Sequence, residues 1–326
     1  MVSLLDKHTF FTLIKDFEYV PYIQTEGWYK YNSFSKPEDV VFIVDNADEP
    51  SIACFAYVKK FFGYRLLSIE GECLKKNNVS REIIQSFFEG ITKLGYDFIE
   101  VNSVDIYNPE YEIGIRTAGY LKPVGTFSVH LSKIVDLKKE LAYNYRWRRN
   151  LKKTEQHDLQ FEVLENISLN EIGAFLHLYA KLLAEKKIHH QILPAQLEYL
   201  FADKCFKLAV VKNKNNVADA FFVFYTNGTN AELLFTAKSE EAKDNRAMFF
   251  IYSKLLEYLQ QTGHHNFDVA RLLPSVVKEI NGVFDFKDSM QGDYVIYNNE
   301  WSWYKKRSYR SLMYFVKKFL MKKPEV

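Results

Sequence analysis

One order of elements occurs twice in this chain: helix, three β-rich runs, long helix, strand, helix, strand. In the first pass the helix is "DKHTFFTLIKDF", and the β-rich runs are Val40–Asp45, Ser51–Phe62 and Tyr64–Gly71. The long helix is expected over Ser80–Gly95, with Ser at its N-cap, apolar residues at three- and four-residue spacing, and Gly at its stop. Strand Phe98–Ser103, a short helix opening near Pro109, and strand Gly125–Ser132 complete it. The second pass begins with helices over Ser168–Lys187 and Leu193–Asp203. Runs Lys207–Asn213, Val217–Gly228 and Asn230–Ser239 form a meander, joined by the hairpin turns "NKNN" and "NGTN". Helix Asn245–Gly263, strand Phe267–Ala270, helix Pro274–Asn281 and strand Asp293–Trp301 follow. A meander plus a βαβ return makes a mixed, mostly antiparallel sheet flanked by helices. The expectation is an α/β chain of two similar domains, 1–136 and 137–303, built on a duplicated plan.

Length and composition agree. The 326 residues suffice for two cores, and 48% hydrophobic with 26% charged residues is ordinary globular composition. The 27 Phe and 22 Tyr read as a Phe-rich core with Tyr at its rim, ahead of an aromatic-lined sugar cleft. Three dispersed cysteines argue against a disulfide framework or a zinc site and suit a reducing compartment. The pairs His189-His190 and His264-His265 lack a spaced partner, so no metal is expected. Charges at Asp6, Lys7, Lys15 and Asp16 break any signal peptide, and no apolar run nears the ~20 residues of a membrane span. A cytoplasmic chain is expected.

Charge is concentrated in two places. Arg146, Arg148, Arg149, Lys152 and Lys153 crowd the midpoint of a chain whose net charge is only +2. With Leu137–Lys153 drawn as one helix, Leu137, Leu141, Tyr145, Trp147 and Leu151 share an arc. Arg148 falls inside that arc and Lys152 at its edge. An inward arginine needs a carboxylate or an anionic ligand, so an inter-domain ion pair and a phosphate-receiving cleft both stand as readings. The second concentration is the eight cations between Lys305 and Lys323. Projection puts Leu312, Phe315, Val316, Phe319 and Leu320 on one face, expected to dock on the first domain. The basic face stays free for RNA or for peripheral contact of 304–323 with an anionic membrane.

Several short motifs carry a resemblance over nearly the whole chain. "QTEGW" supplies Gln24 and Trp28, and "RNLKK" is a basic stretch at the domain junction. "FDVA" supplies Asp268, and "NGVFDFKDSMQGD" supplies Asn281, Gly282, Phe286, Lys287 and Gly292. Together with the element order they resemble the FemABX-like branch of the GNAT superfamily, tandem-domain acyltransferases that include aminoacyl-tRNA-dependent builders of peptidoglycan cross-bridges. The sequence departs from that pattern at Asp285 and Asp288, beside Lys287, and at Met290. The span "KSEEAKDNRAMFF" also lacks the glycines that cradle pyrophosphate in acetyl-CoA-dependent relatives. Arg246 at the start of the long helix is its one candidate anion ligand.

The resemblance implies two tandem GNAT-like domains, with transfer of an acyl or aminoacyl group to an amine of a peptidoglycan or glycan precursor. The donor would be a co-substrate, aminoacyl-tRNA or acyl-CoA, with no bound cofactor. It places the reacting atoms where "NAELLFTAKS" and "FDVA" splay apart. Asp268, Lys287, Glu232 and Tyr225 are then the candidate catalytic groups. Gln24, Trp28, Arg148, Arg149, Lys152, Arg246, Asn281 and Phe286 are candidate ligands for tRNA or a phosphate-bearing envelope precursor. A CoA-dependent acyltransferase acting on an amino sugar or small molecule, and a non-catalytic tRNA- or membrane-binding module, are the alternatives.

Overall fold

The structure, a computed structural model, describes residues 2–35, 39–75, 79–124, 130–186, 188, 191–272 and 282–320. Early strands are β1 (Ser3–Leu5), β2 (Asp39–Val44), β3 (Ile52–Phe61), β4 (Tyr64–Glu70), β5 (Cys73–Leu74), β6 (Phe98–Ile106) and β7 (Leu131–Asp136). Later ones are β8 (Gln160–Leu164), β9 (Phe206–Lys212), β10 (Ala218–Asn227), β11 (Asn230–Lys238), β12 (Asn266–Asp268) and β13 (Asp293–Tyr304). Helices are α1 (Lys7–Leu13), α2 (Glu26–Ser35), α3 (Arg81–Thr92), α4 (Pro109–Thr117) and α5 (Tyr145–Thr154), then α6 (Leu169–Glu185), α7 (Pro194–Phe201), α8 (Ala247–Gln261), α9 (Gly282–Asp288) and α10 (Arg307–Phe315). The chain divides into two compact units. Unit 1 is Met1–Tyr29, Lys36–His130 and Val295–Val326; unit 2 is Lys30–Ser35 and Leu131–Tyr294.

In unit 1 the strands run β1-β2-β3-β4-β6-β13, with β5 on β3. The β4–β6 pair is parallel and the others antiparallel. Ser80 caps α3 through Ile83 N–H, as the sequence predicts, and Ile84, Phe87, Phe88 and Ile91 turn inward at helical spacing. They meet Ile69, Ile99 and Tyr111 in one core; Phe10 and Phe11 of α1 pack on Phe42 and Phe55 in another. Unit 2 repeats the plan with strands β7-β12-β11-β10-β9-β8, of which β11–β12 is parallel. Tyr252 and Leu255 of α8 cover Phe222 and Phe224, and Phe175 of α6 packs edge-on against Phe221 from the opposite strand positions.

The closing strands differ from expectation. The sequence assigns Gly125–Ser132 to the first domain and Asp293–Trp301 to the second. Instead β13 pairs with β6 in unit 1, and β7 pairs with β12 in unit 2. Side-chain fit decides this, because Trp301 is fully buried among the α3 and α4 rings, whereas Val135 belongs with the α8 core. The expected boundary at 136/137 therefore falls inside unit 2, and the end of the chain belongs to unit 1. Residues 125–129 and the helix expected over Pro274–Asn281, apart from its neighbour α9, lie outside the described residues.

α10 docks as expected but by another face. Tyr309, Leu312 and Met313 pack against Tyr64, Leu66 and Phe98, and Phe315 and Phe319 point outward. No helix among the described residues is long and apolar enough to cross a membrane.

Candidate active site at the end of a parallel strand pair

Unit 2 holds its polar cluster where β11 and β12 part. The two strands pair at Asn230 with Asn266, Ala231 with Phe267 and Glu232 with Asp268. β12 ends there, but β11 runs on to Lys238, bonded along β10 with a bulge opposite Val223 and Phe224. Among the described residues no strand takes the other edge of β11 beyond Glu232. Strand alternation sends Ala231 and Phe267 into the α8 core and puts Glu232 and Asp268 together on the opposite face.

Asp268 is held from two sides. Ser132 Oγ of β7 lies 2.5 Å from Asp268 Oδ1 and also 3.0 Å from the Ala270 carbonyl oxygen. The N–H of Ala270 donates to Oδ1 at 2.8 Å. That bond fixes Ala270 at φ +64°, a left-handed conformation that an alanine rarely adopts, and turns the chain sharply out of β12. Lys287 Nζ reaches the carbonyls of Ala270 and Arg271 at 3.5 and 3.3 Å. So α9 brings Lys287 onto the turn that Asp268 organises, rather than leaving it at the surface beside Asp285 or Asp288.

Burial dominates the electrostatics. It raises the Asp268 carboxyl above its ordinary value, against the Ser132 and Ala270 hydrogen bonds and the positive charges of Arg271 and Lys287. It lowers Lys287 to about 8; the Asp268 charge opposes the shift and Lys186, at the end of α6, adds to it. Acid and amine are thus displaced towards each other, an arrangement that suits proton transfer.

A second lysine anchors the loop behind α9. Lys133, buried on β7, donates to the carbonyls of Asp288 and Met290 at 2.7 and 2.6 Å. Gly292 completes the anchor: its φ is +123°, and a Cβ there would lie 2.5 Å from the Ile134 carbonyl oxygen. Glycine in the motif is therefore required by close approach to β7.

The remaining expected site residues are dispersed. Phe286 packs on Trp147, Phe249 and Tyr252 and belongs to the core. Tyr225 shares the Glu232 face by register but is fully buried against Phe206. Gln24 is buried in unit 1, where its Nε2 lies within 3.0–3.2 Å of the Phe55, Glu70 and Gly71 carbonyls and its Oε1 accepts from Phe55 N–H at 2.7 Å. Trp28 stands edge-on to Tyr22 at 4.8 Å, and its backbone N–H donates to Thr25 Oγ1. Asn281 lies outside the described residues.

The helix expected over Leu137–Lys153 begins only at Tyr145, where Asn144 Oδ1 caps the Trp147 N–H at 3.0 Å. Its inward residues are Trp147, Asn150 and Thr154. Starting the projection eight residues too early pulled the arc onto Arg148, which is exposed, as are Arg149 and Lys152. Arg148 meets solvent, whereas Lys287 lies against the turn that follows β12. Arg246 heads α8 in the left-handed region, and its guanidinium donates to the Lys243 carbonyl at 2.9 Å.

Sequence reasoning missed Ser132, Lys133, Arg271 and Lys186. "HLSK" alternates as a strand, so a polar Ser132 facing the core was a readable signal; the contacts of the others depend on tertiary placement.

No protein-family model matches the chain, and no curated protein matches it. Solved structures do. A crystal structure of FemX superposes with TM-score 0.77 at 12% identity, over 96% of this chain and 100% of that one. L-PGS from Bacillus licheniformis gives 0.61 at 15% identity, over 89% and 95%. A tandem GNAT protein from the clavulanic acid biosynthesis pathway gives 0.52 at 10% identity, over 93% and 98%. The chain has the FemX-like tandem GNAT fold that its element order and motifs led one to expect.

Proposed function

We propose that unit 2 transfers an acyl or aminoacyl group from an activated donor to an amine. The carrying observation is the Asp268–Lys287 cluster at the point where β11 and β12 part, in a chain that folds as FemX does. The amine nitrogen forms a bond to the donor carbonyl carbon. Charge developing on the carbonyl oxygen meets the β11 backbone beyond Glu232 and the Lys287 ammonium. The donor's ester C–O or thioester C–S bond then breaks. Asp268 receives the proton shed by the amine and returns it to the leaving oxygen or sulfur.

The favoured donor is aminoacyl-tRNA. The head of α8 offers no glycine cradle for a pyrophosphate, and Arg246 is engaged with the Lys243 carbonyl. The exposed cations of α5 suit the phosphates of an RNA backbone. The acceptor is an amine of a cell-envelope precursor, peptidoglycan or glycan, as the FemABX resemblance implies.

The test is to incubate the chain with radiolabelled aminoacyl-tRNA, or with acyl-CoA, against a panel of envelope-precursor amines. Product from charged tRNA supports the reading. Product from acyl-CoA alone keeps the transferase and replaces its donor. No product and no binding of either donor contradicts both.

A further inference from the structure

We propose that the outward face of α10, with the π-helical turn Val316–Leu320 that extends it, docks on an anionic lipid surface. This inference does not depend on which acyl donor unit 2 uses. The helix spends one face on the protein, through Tyr309, Leu312 and Met313. The other presents Tyr314, Phe315 and Phe319, which are 47, 53 and 54% exposed. Three large rings on one outward face are costly in water and mark an interaction surface.

Charge identifies the partner. From Lys305 to Leu320 the chain carries six cations and no acidic residue. Lys317 is paired with Glu100 at 2.8 Å, which ties the turn to unit 1. Lys306, Arg307 and Lys318 are exposed and make no ion pair among the described residues. Lys318 Nζ meets the Tyr314 hydroxyl at 3.2 Å, so cation and ring lie on one face. Rings at the acyl boundary with cations at the phosphates is the arrangement by which an amphipathic helix lies in a membrane interface. The same cations would suit RNA. However, Phe315 and Phe319 pack on each other, with centroids 4.8 Å apart, instead of standing separately to receive stacked bases. Another exposed ring lies on a neighbouring element: Phe62, 79% exposed, tips the β3–β4 hairpin, and Tyr64 of that hairpin packs on Tyr309 at 5.2 Å.

The test uses the full chain and sedimentation with phosphatidylcholine vesicles, either pure or containing about 30% phosphatidylglycerol. The wild type is expected to sediment with the anionic vesicles, to be released by salt, and to ignore the neutral ones. F315S/F319S and R307E/K318E should each lower the bound fraction about ten-fold, with unchanged melting because all four side chains are exposed or half-exposed. Absence of binding to the anionic vesicles overturns the proposal, as does unchanged binding by F315S/F319S. It is likewise overturned if that variant loses self-association or tRNA binding while the wild type ignores vesicles.

Discussion

The two units end their parallel strand pairs alike and fill the ends differently. In unit 1, β4 and β6 stop pairing at Glu70 and Asn102; in unit 2, β11 and β12 stop at Glu232 and Asp268. The unit 1 end is sealed. Gln24 sets one amide among three carbonyls and one N–H, and Ile23 presses on Gly71, where a Cβ would meet its side chain at 2.6 Å. The unit 2 end instead gathers Asp268, Ser132, Arg271 and Lys287. One topology therefore closes on a buried amide in one copy and brings an acid and an amine together in the other. Buried amide bonds stabilise the first. The second keeps a carboxyl and an amine in partial burial, which costs stability and shifts the proton affinity of both.

The largest expected effect separates the two ends by function. Lys287→Met should lower transfer about 10³-fold with melting within a few degrees, measured as product per folded molecule. Gln24→Ala should act oppositely, leaving buried carbonyls and an N–H without partners and costing roughly 2–4 kcal/mol in urea unfolding, with transfer per folded molecule retained.

A smaller effect is read through pH. Transfer that needs the Lys287 ammonium should fall as pH rises through about 8, and Asp268→Asn, which removes the proton acceptor as well as an attractive charge, should lower transfer at every pH and move the fall of the residual rate to lower pH. Unit 1 has its own titration: burial raises Glu72 to about 7, although Ser103 Oγ donates to it at 2.5 Å. A carboxyl raised on folding stabilises fully below its unfolded value, and that stability is lost as pH rises from about 4.5 to 7. Glu72→Gln should flatten this dependence, worth on the order of 3 kcal/mol, in melts across that range. The smallest effect belongs to Arg148→Ala, which should change unfolding free energy by less than about 0.5 kcal/mol because the side chain is solvated.

Much of the fold was legible because apolar periodicity and caps are local. Ser80, Ser168 and the meander turns announced their elements, and the structure has them. The exchange of β7 and β13 was not legible, because either strand fits the alternation and only the bulk of Trp301 against the α3–α4 core selects its place. Asp268 and Lys287 were expected from a motif, and the structure brings both to one turn; their meeting depends on Ala270, which alternation does not foresee. Gln24 and Phe286 were readable as motif members but not as structural ones, since a buried amide brace and a ligand-binding amide look alike in sequence. The inward placement of Arg148 failed for a simpler reason, a helix start set by Asn144 rather than by the preceding leucines.

The most direct test of a reactive end in unit 2 and a sealed end in unit 1 is a crystal structure with a non-reacting donor analogue. A 3′-aminoacylamido-adenosine oligonucleotide or a CoA thioether would serve. The acyl carbonyl should appear at the β11 edge beyond Glu232, within reach of Lys287. Density for that carbonyl beside Gly71 at the end of β4, or nowhere near Lys287, would contradict the account.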